Sequence, residues 1–250
     1  MWGLSEWMSA ADVVSRQILD RAEYAGEAVD AAVLTRRLGF DIVYDRQQAS
    51  RGRLKQFGRR RSIFIKPDQR SERIHWAICH ELGECFAHHV FQYVGAQPDE
   101  SSPGMREQVA NFLAARLLLP GQTFFEKAHD CRESLPVLKT CFHTASHELI
   151  ALRLLDQEAS RCLTIVDQGR ITKRRANHFA CERSFLPIEQ ICWQTSHEQC
   201  RDLERTDEDL RIHCWAIHEP HWKREIVMTM PVNEYQSDRK AEIHSLESST

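Results

Sequence analysis

Ile74, Ile78, Leu82, Phe86 and Val90 recur at every fourth position. On an α-helix, residues four apart lie about 40° apart, so these five form one apolar stripe. His80, Glu84 and His88 fall on roughly the opposite side. This segment therefore has to be a helix with one face in a core and the other lining a groove. Within it, residues 80–84 read His-Glu-Leu-Gly-Glu, one letter from the H-E-x-x-H helix pattern that binds zinc. His80 and Glu84 share a face and can both reach one ion. Glu81 is offset by about 100° and can sit beside that ion as a general base without binding it. Gly83 costs about 1 kcal/mol against alanine in a helix, and it lets another backbone approach closely.

A catalytic zinc usually has three protein ligands and an open position, so the third ligand must come from elsewhere. Glu107 is the best candidate. Ser102-Pro103 reads as an N-cap followed by a helix-starting proline. The helix it opens runs from about Gly104 to Leu119 and stops at Pro120-Gly121. Glu107 lies in its first turns, and Asn111 is one turn further on the same face. Val109, Phe112, Leu113, Leu117 and Leu119 supply apolar contacts. Two bland alternatives compete with the metal reading. Glu84 and His88 are also four apart and form a surface pair worth about 0.2–0.5 kcal/mol. A His-Glu pair is common in itself, and His147-Glu148, with no ligand four residues on, reads as decoration of a core helix.

The runs ERIHWAICHELGECFAHHVF, REQVANFLAARLLLP and TASHELIALRLLD occur in that order. Together they resemble the ImmA/IrrE family of metallopeptidases over roughly residues 10–160. The family's helix ending in A-H-E-L-G-H is followed by one of the form E-x-x-A-N-x-F-A-x-x-L-L-x-P. The second pattern is met by Glu107, Ala110, Asn111, Phe112, Leu113, Ala114, Leu117, Leu118 and Pro120. The resemblance implies a small gluzincin-like metallo-endopeptidase. In it His80 is the first zinc ligand, Glu81 the catalytic base and Glu107 the third ligand. It also implies a protein or peptide substrate in a regulatory setting, such as a transcriptional repressor or an antitoxin. Glu84 departs from the family, which has histidine there. A carboxylate still binds zinc, at about 2.0–2.2 Å. Two carboxylates and one imidazole neutralise more of the ion's charge, acidify bound water less, and make manganese more competitive.

The 250 residues, 42% hydrophobic, suffice for one sizeable core or a core plus an appendage. A net charge of −3 gives no global signal for polyanion binding. Nine cysteines, an odd number with no C-x-x-C, argue against a disulfide framework or a cysteine zinc site. Reduced thiols in a cytosol fit best. Cys79, next to His80, reads as a small buried hydrophobe rather than a redox switch. The first residues, MWGLSEWMSA, lack the regions of a secretory signal, and no uncharged apolar run reaches membrane-spanning length. The expected location is cytoplasmic, with no membrane partner.

The expected fold class is α+β: a small zincin-like domain with helices packed on a short sheet, plus a C-terminal β-containing extension. The boundaries read as 1–158, 159–235 and a polar, frayed tail at 236–250. Asp12 reads as the cap of a helix carrying Val13, Val14, Ile18 and Leu19. A second helix runs from Ala31 to Leu38 and stops at Gly39. Residues 41–45 and 62–66 read as partner strands, and a strand edge beside the motif helix suits an extended peptide. Between them, Arg51, Arg53, Lys55, Arg59, Arg60 and Arg61 form a basic cluster, read as a solvated hairpin loop. Nucleic acid as its partner is the less favoured reading. Residues 122–143 are mixed, and 146–155 read as a helix. Asp167-Gln168-Gly169 signals a hairpin, 187–204 look helical, and 211–218 and 224–230 read as strands. His213, His218 and His221 cluster there and read as surface histidines rather than ligands. Two rivals to a peptidase stay open: a binding protein that has lost activity through Glu84, and a nucleic-acid-associated regulator using the basic loop.

Overall fold

The computed structural model describes residues 3–97, 102–178 and 181–232. The contacts divide the chain into two compact units, Met1–Ile150 and Ala151–Thr250. The fold is α+β, as expected, with eight helices and two sheets among the described residues. The tail expected at 236–250 lies outside them.

The first unit opens with α1 (Leu4–Arg21) and α2 (Ala31–Arg37). Asp12 does not cap α1, which begins at Leu4 with Gly3 as its N-cap; its carboxylate meets Arg116 instead. Arg116 Nε donates to Asp12 Oδ2 and to the Met8 carbonyl, both at 3.0 Å. The cap of α2 is Asp30, which accepts from the N–H groups of Ala32 and Val33. Strands β1 (Phe40–Tyr44), β2 (Gly52–Phe57) and β3 (Arg60–Ile65) form a sheet of order β1-β3-β2. The pairing of β1 with β3 is parallel and that of β2 with β3 antiparallel. The basic cluster is therefore not a hairpin loop. Arg53 and Lys55 lie in the edge strand β2, Arg59 in its turn into β3, and Arg60 and Arg61 in β3, where cation–ring contacts place Lys55 over Phe64 at 4.7 Å and Arg61 over Phe40 at 4.0 Å.

Two long helices follow, α3 (Ser71–Val94) and α4 (Pro103–Leu118). Ser102 caps α4 by accepting from the Met105 N–H at 3.2 Å. The stripe of α3 is buried from Ile78 through Leu82 and Phe86 to Val90. Phe86 packs edge-on against Phe40 of β1, and Phe91 against Trp7 of α1. The opposite face carries His80 and Glu84 outward. The mixed segment after Pro120 is helical: α5 (Gly121–Asp130) and α6 (Leu135–Cys141) bury Phe124, Leu135 and Leu138. Both are too short to show a clear period. Helix α7 (His147–Leu154) contains the division between the units.

The second unit is an antiparallel sheet of order β5-β4-β8-β7-β6. Its strands are β4 (Cys162–Asp167), β5 (Arg170–Ala176), β6 (Leu203–Thr206), β7 (Leu210–Glu219) and β8 (Trp222–Pro231). The expected hairpin turns at Gln168-Gly169, both at positive φ. Helix α8 (Pro187–Gln199) ends short of the expected boundary because β6 begins at Leu203. Cys192 of α8 packs with Ile212, Cys214 and Val227 of the sheet. Among the described residues, all nine cysteines are free thiols, and no helix is long and apolar enough to cross a membrane.

Candidate metal centre

The site begins with the approach of α3 to α4. A Cβ on Gly83 would stand 2.4 Å from the Ala110 carbonyl oxygen and within 3.2 Å of that residue's Cα and carbonyl carbon. Only a residue without a side chain lets the two backbones come this close. The approach sets His80 and Glu84 of α3 opposite Glu107 of α4. Donor atoms of all three lie within 4.8 Å of one another. His80 Nε2 is 3.5 Å from Glu84 Oε1 and 3.7 Å from Glu107 Oε1. The alternative pairing of Glu84 with His88 does not form; His88 Nδ1 lies 3.0 Å from the Cys85 carbonyl oxygen instead. His147 and Glu148 open α7 and do not belong to this set.

Asn111 ties the set together. Its Oδ1 lies 3.1 Å from His80 Nδ1, and its Nδ2 donates to Glu107 Oε1 at 3.3 Å. With the amide oxygen turned to the imidazole, His80 carries its proton on Nδ1. Its Nε2 lone pair then faces the two carboxylates. Ligating histidines are oriented in this way by the partner of their other ring nitrogen. The donor set fits a divalent cation, with one imidazole and two carboxylates about a common point. Half of each carboxylate side chain is exposed (50% for Glu84, 56% for Glu107), which leaves the outward side open to water and to a ligand.

Glu81 lies beside the set and is only 6% exposed. The edge strand β2 holds it. Leu54 N–H donates to Glu81 Oε2 at 2.7 Å, and a Cβ on Gly52 would stand 2.6 Å from Glu81 Oε1. Burial pushes the Glu81 carboxyl above the usual carboxylate range, and the charge of Glu84 adds to this, against the opposing Leu54 N–H bond. The sequence reading missed Gly52 and Leu54. Their only signal is the short apolar alternation of Leu54 and Phe57 within a basic run, which is weak evidence for a strand.

Two of the three histidines read as surface residues of the second unit, His213 and His218, are placed differently from expectation. His218 is not a surface residue of the hairpin. Its Nε2 bonds Glu225 Oε1 across β7 and β8, and His197 of α8 reaches the same oxygen. His213 is half-buried and stacks on Trp215 with ring centroids 4.2 Å apart. Burial lowers its pKa. His221 is exposed in the turn.

Fold and geometry together describe an α+β domain in which a two-helix pair presents a His–Glu–Glu set next to a buried glutamate held by an edge strand. Residues 35–159, half of the chain, match the model of the IrrE N-terminal-like domain of the Peptidase_M78 family, and the chain belongs to that family. Among solved structures, the chain is similar in fold to a Mycobacterium tuberculosis transcriptional regulator. The identity is 17% and the TM-score 0.65, covering 90% of this chain and 88% of that one. A comparison with curated proteins finds no match.

Proposed function

We propose that the first unit is a metal-dependent endopeptidase acting on a protein partner, with His80, Glu84 and Glu107 as metal ligands and Glu81 as the general base. The observation that carries this reading is the convergence of the three donors beside a buried fourth residue on the same helix. A bound divalent ion, zinc first and manganese as the alternative, supplies Lewis-acid activation of water and of the scissile carbonyl. Glu81 takes the proton of the attacking water and delivers it to the leaving amine. Its Oε1 is free for that exchange, because Oε2 is held by Leu54 N–H. The raised affinity of Glu81 for protons suits a base that must also return one. Asn111 keeps His80 in the ligating tautomer. The outward edge of β2, next to Glu81, offers backbone groups to an extended peptide.

The partner proposed is a regulatory protein, such as a repressor or antitoxin. The structural neighbour's description as a transcriptional regulator supports a regulatory setting. Glu84 supports a second reading, a protein that binds its partner without cutting it, because it weakens the ion as an acid.

One experiment separates the two. Metal content is measured on the purified full chain and on Glu81→Gln, with His80→Ala as the reference, and new protein N-termini are mapped in cells expressing each. The peptidase reading expects both proteins to hold about one ion more than His80→Ala does, and a set of termini present only with Glu81. Metal in both proteins without any Glu81-dependent terminus leaves the binding reading. No stoichiometric metal, even after zinc or manganese is supplied, sinks both the centre and the enzyme.

A further inference from the structure

The second unit contains two glutamates with no exposed surface, Glu189 and Glu225. Burying a carboxylate requires a compensating charge or full hydrogen bonding. Glu189 has both: Arg174 Nη2 donates to its two oxygens at 3.2 and 2.8 Å, and Leu186 N–H and Thr229 Oγ1 add further bonds. Glu225 is different. Its Oε2 accepts from Trp193 Nε1 at 3.0 Å. Its Oε1 faces two imidazole nitrogens, His197 Nδ1 at 2.8 Å and His218 Nε2 at 2.5 Å. Among the described residues, no lysine or arginine bonds it.

The geometry points to a second metal site, made of His197 Nδ1, His218 Nε2 and the Glu225 carboxylate, that takes a divalent cation of the zinc class. Donor atoms of these three residues lie within 4.8 Å of one another. Two imidazoles and one carboxylate are a donor set suited to zinc, cobalt and related ions. A divalent cation would supply the countercharge that no lysine or arginine among the described residues gives Glu225. The ligands come from three elements, α8, β7 and β8, so an ion there ties the helix to the hairpin. Trp193 Nε1 fixes the carboxylate from behind, as outer-shell donors do. The side chain of His197 is 30% exposed, which gives the ion a route in and an open position. Tetrahedral ligands at about 2.0–2.2 Å from an ion stand farther apart than hydrogen-bonded atoms. Entry therefore parts the two nitrogens from Oε1 by roughly 0.5–1 Å, a shift that His197, partly exposed near the helix end, shares with His218 of β7. The site shares no residue with the His80 set and stands whether or not the first unit is a peptidase.

The test uses the full chain, stripped with chelator and titrated with cobalt, whose visible absorption reports coordination. His80→Ala removes the first centre from the count. That protein is expected to bind one equivalent, with absorption bands of low coordination number and a rise in melting temperature. His197→Gln and His218→Gln, each made in the His80→Ala background, are expected to lose the equivalent and the thermal rise. Trp193→Phe weakens binding by about 10–100-fold without removing a ligand. His197 is partly exposed, so its replacement tests the site even if His218→Gln fails to fold. No equivalent in His80→Ala, or one that persists in His197→Gln, overturns the proposal. The cluster is then a carboxylate held by its hydrogen bonds to Trp193, His197 and His218 alone.

Discussion

At the residue scale, Glu84 is the residue on which the proposed first centre turns. A histidine there would replace a hard, charged donor with a softer, neutral one. Glu84→His is expected to tighten zinc by about tenfold or more, worth 1.4 kcal/mol per factor of ten, and to reduce the preference for manganese. Competition with a chromogenic chelator measures this. An unchanged zinc affinity would mean that position 84 does not reach the ion. That His80 and Glu84 share a face was legible in the sequence because helical spacing fixes it, whereas Glu107, on another helix, came from the Ser102-Pro103 start signal and the family resemblance. Asn111 was legible as a neighbour of Glu107, one turn on. Its hold on His80 was not, because that bond spans 31 positions of sequence. Glu225 left no trace in the sequence at all. It was read only as part of a strand at 224–230, and only the fold shows that its carboxylate is buried.

At the element scale, the pairing of α3 with α4 governs the centre. Replacing a mid-helix glycine by alanine ordinarily stabilises by about 1 kcal/mol. At Gly83 the new methyl group would meet the Ala110 carbonyl, and overpacking of this kind costs about 1–3 kcal/mol. Gly83→Ala is therefore expected to lower stability in urea melts and to weaken metal binding with it, by moving Glu107 away from His80. A stabilised variant would show that the helices part without effect. The two helices were legible from their periods, caps and stop signals. Strand β2 was not. It carries Arg53, Lys55 and Gln56, a composition that reads as loop, and it becomes a strand because β3 pairs along one side and Glu81 takes the Leu54 N–H on the other. Helices α5 and α6 escaped notice for the opposite reason, since each is shorter than the window over which a period can be recognised.

At the scale of the whole molecule, each unit has its own fastening. In the second, Arg224 Nε and Nη2 donate to the two oxygens of Asp167 at 2.6 and 2.9 Å, joining β4 to β8. Burial pushes the Asp167 carboxyl up, but its hydrogen bonds to Arg224 and Thr172, with the Arg224 charge, more than reverse this and hold it below the usual range. A carboxyl lowered by folding stabilises the protein above its unfolded pKa, and that stability is lost as pH falls through the folded value. Asp167→Asn is expected to destabilise by about 1 kcal/mol at neutral pH. The gap from the unmodified chain should close as pH falls below about 3.9. Melting curves taken across that range check the trend, and a gap that widens in acid would contradict it. The first unit's centre depends in turn on a spacing between two helices that one absent side chain permits. That has a practical corollary for protein engineering. The pentapeptide at 80–84, grafted onto a foreign helix, would carry its imidazole and carboxylates but not the neighbour that gauges their separation. The transferable part is the matched pair of helices, cut out and moved as one cassette.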